Sequence, residues 1–357
     1  MYPLLEVYLE KIKDNAYKVL DLCSSKGIDL VAVVKGCSAF PEVAIALMDA
    51  GVRFLGDSRI QNVKKLRKAG IAGPIMLLRI PMLSEVKDVV ELVDVALVSE
   101  ISVIKAIDYE AGKLGKRFRV VLMIDMGDLR EGVWPTNLLS YLDLIKGLKN
   151  VELWGVGANF GCFGGVLPTP ESVSMLVDYA SLAREYTHFD VPIVSIGGTV
   201  ALFLLENGVM PEGVNQLRIG EAILLGRDAT RERKIPYLRQ DTFLLKAEIV
   251  ELKFKPSVPI GEIGVDAFGK KPQFVDKGVR RRAILALGKQ DVIIDGLFPQ
   301  ADGIEVLGGS SDHTVVDVTD FPNPLKVGDI ISFELSYGAM LMASTSPYVS
   351  KVFFSLS

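Results

Sequence analysis

Short, wholly apolar runs alternate along the first two thirds of the chain with stretches whose apolar residues return every third or fourth position. Leu30 to Val34 is apolar throughout, rich in valine, and stops abruptly at Lys35-Gly36. A continuous apolar run of this length predicts a strand covered on both faces. Similar runs begin near residues 53, 75, 93, 118, 151, 192 and 214. Between them the spacing predicts helices over 6–26, 41–50, 58–69, 100–115, 136–148 and 171–187, and a short one after Thr199. The first carries Leu9, Ile12, Ala16, Val19, Leu20 and Cys23 on one face and stops at Gly27. Pro41 opens the second, and Gly70 closes the third. Eight strands alternating with helices over about 200 residues predict a (β/α)8 barrel over residues 1–230. A doubly wound sheet is the alternative, but no GxGxxG follows the first strand.

Beyond residue 231 the helical spacing fades. Residues 242–251, 282–288, 291–295, 314–318, 329–335 and 349–355 read as strands, separated by turn signals at Pro256, Gly261, Pro299, Asp302-Gly303 and Asn323-Pro324. They predict a second, mostly-β domain over residues 231–357.

Charge and cysteine content narrow the function. Forty basic residues against 44 acidic ones leave a formal charge of −4, which offers no footprint for nucleic acid or for an anionic membrane. No stretch is long and apolar enough to span a bilayer. Glu6, Glu10, Lys11, Lys13 and Asp14 deny the N-terminus the apolar core of a signal peptide, so a cytoplasmic protein is expected. Cys23, Cys37 and Cys162 are odd in number and widely spaced, and His188 and His313 are the two histidines. That inventory points away from a disulfide framework and from a zinc site, and no metal is expected.

In a barrel of this kind the functional residues stand at the C-terminal ends of the strands. Those ends are Lys35, the segment Asp125 to Gly132, the segment Gly157 to Gly161, Gly197-Gly198-Thr199, and Arg218-Ile219-Gly220-Glu221. Lys35 has two readings: a charge that ends a strand by reaching water, or an amine in a pocket. Gly197-Gly198-Thr199 also has two: a tight turn, or a phosphate site in the usual place for this fold. Taken together, an amine with a lowered pKa and a phosphate site point to a phosphate-bearing aldehyde cofactor held as a Schiff base.

Six short segments carry a resemblance. They are Val33-Val34-Lys35-Gly36, Asp128-Leu129-Arg130-Glu131-Gly132, Asn159 with Cys162-Phe163-Gly164-Gly165, Leu217-Arg218-Ile219-Gly220, Ser310-Ser311-Asp312-His313 and Ser336-Tyr337-Gly338. In this order they resemble the fold-type III pyridoxal-phosphate enzymes typified by alanine racemase, and most nearly the ornithine/lysine racemase branch. The resemblance implies a racemase of basic amino acids that removes and returns the Cα proton. It implies that Lys35 binds pyridoxal 5′-phosphate and acts as one base, and that Arg130 lies near the cofactor and the substrate carboxylate. Asn159 stands where alanine racemases carry a ring-stacking histidine. Gly198, Thr199, Gly220, Glu221 and Tyr337 match phosphate-binding positions. Arg218 matches the arginine that faces the pyridine nitrogen; unable to accept a proton, it leaves that nitrogen unprotonated.

The base opposite Lys35 stays open. Gly288-Lys289-Gln290-Asp291 is similar to a Gly-Tyr-x-Asp run whose tyrosine is that base in alanine racemases. Lysine replaces tyrosine here, so the base is Lys289, or His313, or another group between Ser310 and His313. Ser311 and Asp312 are expected near substrate. Asp128, Glu131, Asp266 and Asp312 are the candidates for holding a side-chain ammonium. The resemblance also implies a homodimer in which each β domain completes the other barrel's site. Two other functions remain: a pyridoxal-phosphate homeostasis protein without catalysis, and a basic amino acid decarboxylase of the same fold. The extra β-rich segment weighs against the first. Arg218, and cysteines that all precede residue 163, weigh against the second.

Overall fold

The computed structural model describes residues 1–269, 271 and 273–355. It contains two compact units, Leu9–Arg239 and a second that joins Met1–Tyr8 to Gln240–Ser357. The chain opens with strand β1 (Leu4–Tyr8), and helix α1 (Leu9–Ser24) begins only after it. The expected helix over 6–26 therefore starts three residues late. Leu5 and Val7 are fully buried, and β1 pairs with two strands of the second unit, so its period is two rather than that of a helix.

In the first unit eight parallel strands close into a barrel: β2 (Asp29–Val33), β3 (Phe54–Asp57), β4 (Ile75–Leu77), β5 (Val95–Val98), β6 (Phe118–Met123), β7 (Val151–Asn159), β8 (Ile193–Gly197) and β9 (Gln216–Ile219), which returns to β2. The intervening helices are α2 (Pro41–Asp49), α3 (Ile60–Lys68), α4 (Val86–Leu92), α5 (Ile101–Lys113), α6 (Leu138–Lys146), α7 (Pro170–Thr187), α8 (Leu202–Glu206) and α9 (Glu221–Leu225). The eight strands and the main helices are those the apolar pattern predicts. Val31, Met76, Val95, Leu97, Val121 and Met123 form one buried cluster. Each such side chain contributes about 1.5–3 kcal/mol by leaving water. The two-residue strands β10 (Arg227–Asp228) and β11 (Arg233–Lys234) pair as a small ribbon at the end of this unit.

The second unit is an antiparallel sheet. Its strands are β12 (Phe243–Pro256), β13 (Val279–Leu285), β14 (Leu297–Pro299), β15 (Glu305–Gly309), β16 (Thr314–Asp317), β17 (Ile330–Leu335) and β18 (Ser350–Phe354). They run in the order β14-β17-β12-β13-β16-β15, with β1 joining β12 to β18. Leu245, Ala247 and Ile249 of β12 are buried and alternate with the partly exposed Lys246 and Glu248, while Phe243 and Leu244 at its start are both buried. Residues 291–295, expected as a strand, are instead turn and bend running into a short 3₁₀ segment at Ile294–Gly296. The buried Asp291 carboxylate accepts from the Gly288 amide at 3.2 Å and the Ser346 hydroxyl at 3.0 Å, which ties the segment into a turn. Helix α10 (Tyr337–Thr345) follows β17, capped by the Ser336 hydroxyl on the Ala339 amide at 3.2 Å.

Candidate active site

The C-terminal ends of β2, β6, β7, β8 and β9 bring together most of the residues expected there. Lys35 is separated from the end of β2 by one residue, Val34, and begins a 3₁₀ turn. The turn continues through Ser38 and Ala39, both left-handed at φ 51° and 47°. Two such non-glycine residues in succession are strained, and strain of this kind concentrates at functional sites. Lys35 is half-buried. Burial of its amine lowers the pKa, the Arg130 charge lowers it further, and Cys162, Glu131 and Asp57 pull it back.

Arg130 and Glu131 stand on a loop that leaves β6 and returns to it. The Asp125 carboxylate accepts from the amides of Gly127 at 2.9 Å and Leu129 at 3.1 Å, and Val133 donates back to the Met123 carbonyl at 2.7 Å. Gly132 makes the return possible. Its φ is +143°, and a Cβ there would lie 2.3 Å from the Asp125 nitrogen. The Arg130 guanidinium meets the Glu131 carboxylate at 2.7 Å. Asp128 has a different task. Its carboxylate accepts from the amides of Phe163 at 2.9 Å and of Cys162 and Val166 at 3.3 Å, folding the 160s loop beside it. That loop brings the Cys162 thiol within electrostatic reach of Lys35 and Arg130.

Arg218 projects from β9 and is 3 % exposed. Its guanidinium donates to the Ala158 carbonyl at 2.9 Å, to the Asn159 side-chain oxygen at 3.0 Å, and to the Ser195 hydroxyl. Ser195 in turn donates to Gln216 at 2.7 Å. Burial pushes the guanidinium pKa down to about 10, with Glu131 opposing, so the group keeps its charge at neutral pH. Gly197 is essential to this arrangement. A Cβ at 197 would lie 2.1 Å from the Asn159 oxygen and 2.6 Å from an Arg218 nitrogen. The Asn159 amide also donates to Glu131, so it bridges a carboxylate and a guanidinium.

At the ends of β8 and β9, Gly198 takes φ +110°, and the Thr199 hydroxyl accepts from the Ala222 amide at 3.1 Å in the first turn of α9. Gly220 precedes that turn with φ −125° and ψ −66°, outside both the helical and the extended regions. Glu221 accepts from the Ala229 amide at 3.1 Å, and burial raises its carboxyl to about 7. A half-buried amine with a lowered pKa, a donor-only guanidinium and a glycine-rich turn beside a hydroxyl together fit a group that bears an aldehyde, a ring and a phosphate.

Sequence reasoning passed over three polar residues in this unit. Asp57, fully buried at the end of β3, accepts from the Arg59 amide at 2.8 Å and the Asn62 side chain at 3.1 Å. The strand-end rule that found Lys35 applies to it equally. Ser195 and Gln216 lie inside apolar strands, and only the chain from Arg218 to Ser195 and from Ser195 to Gln216 marks them.

The remaining candidates belong to the second unit. Lys289 follows β13 in a turn, and its ammonium lies 3.3 Å from Asp266 and over the Phe268 ring at 3.9 Å. Ser310 to His313 form the turn between β15 and β16 and are exposed. The two turns face each other: the amides of Lys289 and Gln290 donate to the carbonyls of Ser310 at 2.9 Å and Ser311 at 3.1 Å. Asp312 accepts from Gln290 at 2.5 Å and from the Ser311 hydroxyl at 2.9 Å. Tyr337 is the first residue of α10.

Comparison with known proteins gives a consistent picture. The family model described as "Alanine racemase, N-terminal domain" matches residues 7–228. Lysine racemase of Thermotoga maritima is 48 % identical over 353 residues, covering 99 % of each chain. Ornithine racemase of Acetoanaerobium sticklandii is 45 % identical, covering 98 % of this chain and 99 % of its own. Among solved structures, the alanine racemase from D-cycloserine-producing Streptomyces lavendulae superposes with a TM-score of 0.75 at 20 % identity, over 99 % of this chain and 97 % of that one, which speaks to the fold. The chain belongs to the alanine racemase N-terminal domain family.

Proposed function

We propose a division of labour for a protein that is an amino acid racemase acting on basic amino acids such as lysine and ornithine. The observation that carries the reading is the pairing of Lys35, half-buried at the end of β2, with Arg218, buried at the end of β9. The expected cofactor is pyridoxal 5′-phosphate, which when bound withdraws electrons from the substrate Cα. Lys35 holds it covalently and moves a proton at Cα on one face; a lowered amine pKa suits both tasks. Arg218 would face the ring nitrogen of that cofactor. A guanidinium has donors only, so it gives that nitrogen no proton to keep, and electron withdrawal stays mild enough for simple proton exchange. Arg130 orients the substrate carboxylate through its planar fork. Gly198, Thr199, Gly220 and the Glu221 amide hold the phosphate, with the Tyr337 hydroxyl as a further donor.

The second proton carrier is Lys289 or His313, supplied by a second copy of the chain. Both stand on the pair of facing turns in the β unit, beside Ser311 and Asp312. We accordingly propose a cytoplasmic homodimer. The free thiols Cys23, Cys37 and Cys162 accord with a reducing compartment.

The test is to incubate the protein, supplied with cofactor, with L-lysine or L-ornithine. Loss of optical rotation without carbon dioxide is the expected result. Gas evolution would point to a decarboxylase, and bound cofactor with neither outcome would point to a binding protein. Sedimentation that finds a fully active monomer would remove the second copy from the scheme.

A further inference from the structure

One acidic residue in the barrel unit is committed in a way the known roles do not explain. Glu131 is 16 % exposed in its side chain and touches two different partners with its two oxygens. Oε2 meets Arg130 at 2.7 Å, and Oε1 accepts from the side-chain amide of Asn159. The other end of that amide accepts from Arg218 at 3.0 Å. One carboxylate thus holds one arginine directly and a second through a single bridging amide.

The charges nearby make this pairing consequential. The Arg130 charge acts on both Lys35 and Arg218, and Glu131 and Cys162 neighbour both, with Asp57 beside Lys35 alone. Asp57 is occupied by Arg59 and Asn62, and Asp128 by the amides of the 160s loop. The acceptors that Arg218 itself donates to are neutral: the Ser195 hydroxyl, the Ala158 carbonyl and the Asn159 amide oxygen. Glu131 is the carboxylate that reaches it, through Asn159.

The backbone is built to keep it there. Gly132 fixes the loop's return, and Gly197 leaves the space in which Asn159 and Arg218 meet. Because Glu131 takes the amide's donor end, the acceptor end must face Arg218. Asn159 cannot flip without losing both bonds.

We propose that Glu131 is a positioning residue for this racemase, fixing Arg130 directly and Arg218 through Asn159, and balancing the charge beside Lys35. It is therefore not available to bind the ammonium of a basic substrate. The inference rests on the reading of Lys35, Arg130 and Arg218 given above.

The test compares the full-length wild type with Glu131→Gln and Glu131→Asp. The first readout is the pH midpoint for uptake of pyridoxal phosphate by the cofactor-stripped chain, followed by near-visible absorbance. The second is kcat and KM for L-lysine in the loaded enzyme. Glu131→Gln keeps the size and removes the charge, so the midpoint should move to lower pH by about one unit. Its kcat should fall at least about tenfold, as Arg130 loses its ion pair and the Asn159 bridge to Arg218 loses its carboxylate anchor. Glu131→Asp keeps the charge but is too short to reach both partners, so the midpoint should return towards wild type while kcat stays low. A residue that only supports the fold would lower the melting temperature and leave the midpoint alone; that result overturns the proposal, as does a midpoint shared by both variants. Should Glu131→Gln fail to fold, Asn159→Ala cuts the Arg218 branch alone. It should lower kcat with KM nearly unchanged, and an unchanged kcat overturns the proposal. A wild type that neither takes up cofactor nor racemises would refute the underlying function. A normal wild type with unaffected variants would refute only the role of Glu131.

Discussion

The barrel mouth and the facing turns of the β unit both gather polar residues, but they are built on opposite principles. At the mouth, Arg218, Ser195 and Gln216 are buried and their side chains are fixed by one another. A glycine stands wherever a Cβ would intrude, at 132 and 197. At the turns, backbone amides and carbonyls define the shape, while Ser311, Asp312 and His313 extend from exposed positions. The first arrangement suits a rigid cofactor that must be held one way. The second suits side chains that must move a proton or meet substrates of different length. Buried networks are costly unless complete, and exposed polar residues cost little either way.

Four changes probe that contrast, the largest effect first. Lys35→Ala should abolish the absorbance of lysine-bound cofactor and slow Cα deuterium exchange in heavy water by at least about a thousandfold. Survival of both would end the scheme. His313→Ala, at an exposed site, should alter folding by no more than about 0.5 kcal/mol, and Lys289→Ala, which gives up its contacts with Asp266 and Phe268, by about 1 kcal/mol. One of them should lose about a hundredfold or more in racemisation, and exchange measured from each enantiomer separately identifies it. Equal, small losses in both would remove the turns from the chemistry.

The third change uses Asp57. Burial raises its carboxyl to about 6, against an ordinary value of 3.8, although the Arg59 amide, Asn62, the Ser58 amide and Lys35 pull it down. As pH rises from about 4 to 6 the unfolded chain ionises first, so stability falls across that window and stays lowered at neutral pH. Asp57→Asn should flatten that slope and stabilise the protein at pH 7 by about 2–3 kcal/mol in urea unfolding. A variant with the same slope as wild type would assign the titration elsewhere. The smallest effect is expected from Gly197→Ala, which should cost about 1–3 kcal/mol by crowding Asn159 and Arg218. Ser311→Ala, made for comparison, should be nearly neutral. If the two cost the same, the mouth is not the more tightly built region.

Much of this was legible in the chain. Barrel strands covered on both faces need continuous apolar runs, and those runs are long enough to stand out, so β2 to β9 follow from the pattern. The strand-end rule then finds Lys35, Arg130, Asn159 and Arg218. The pattern fails where pairing partners are distant. Residues 6–8 of β1 read as the start of the helix because they run without a break into the spacing of α1, and only β12 and β18 make them strand. Residues 291–295 read as a strand because Val292, Ile293 and Ile294 are apolar, whereas the buried Asp291 makes a turn.

By itself the sequence determined the barrel, the β-rich second part and the identity of the residues at the strand ends, because burial on both faces and the need for glycine at tight turns leave local marks. Only the tertiary structure decided what occupies the four acidic candidates: Lys289 lies against Asp266, and Gln290 and Ser311 donate to Asp312. Asp128 folds the 160s loop and Glu131 holds Arg130 and Asn159, though both are simply charged residues in a loop when read in order. A hydrogen bond between residues 28 positions apart leaves no periodic trace along a chain, and the pairing of β6 with β7 is what brings its two ends together.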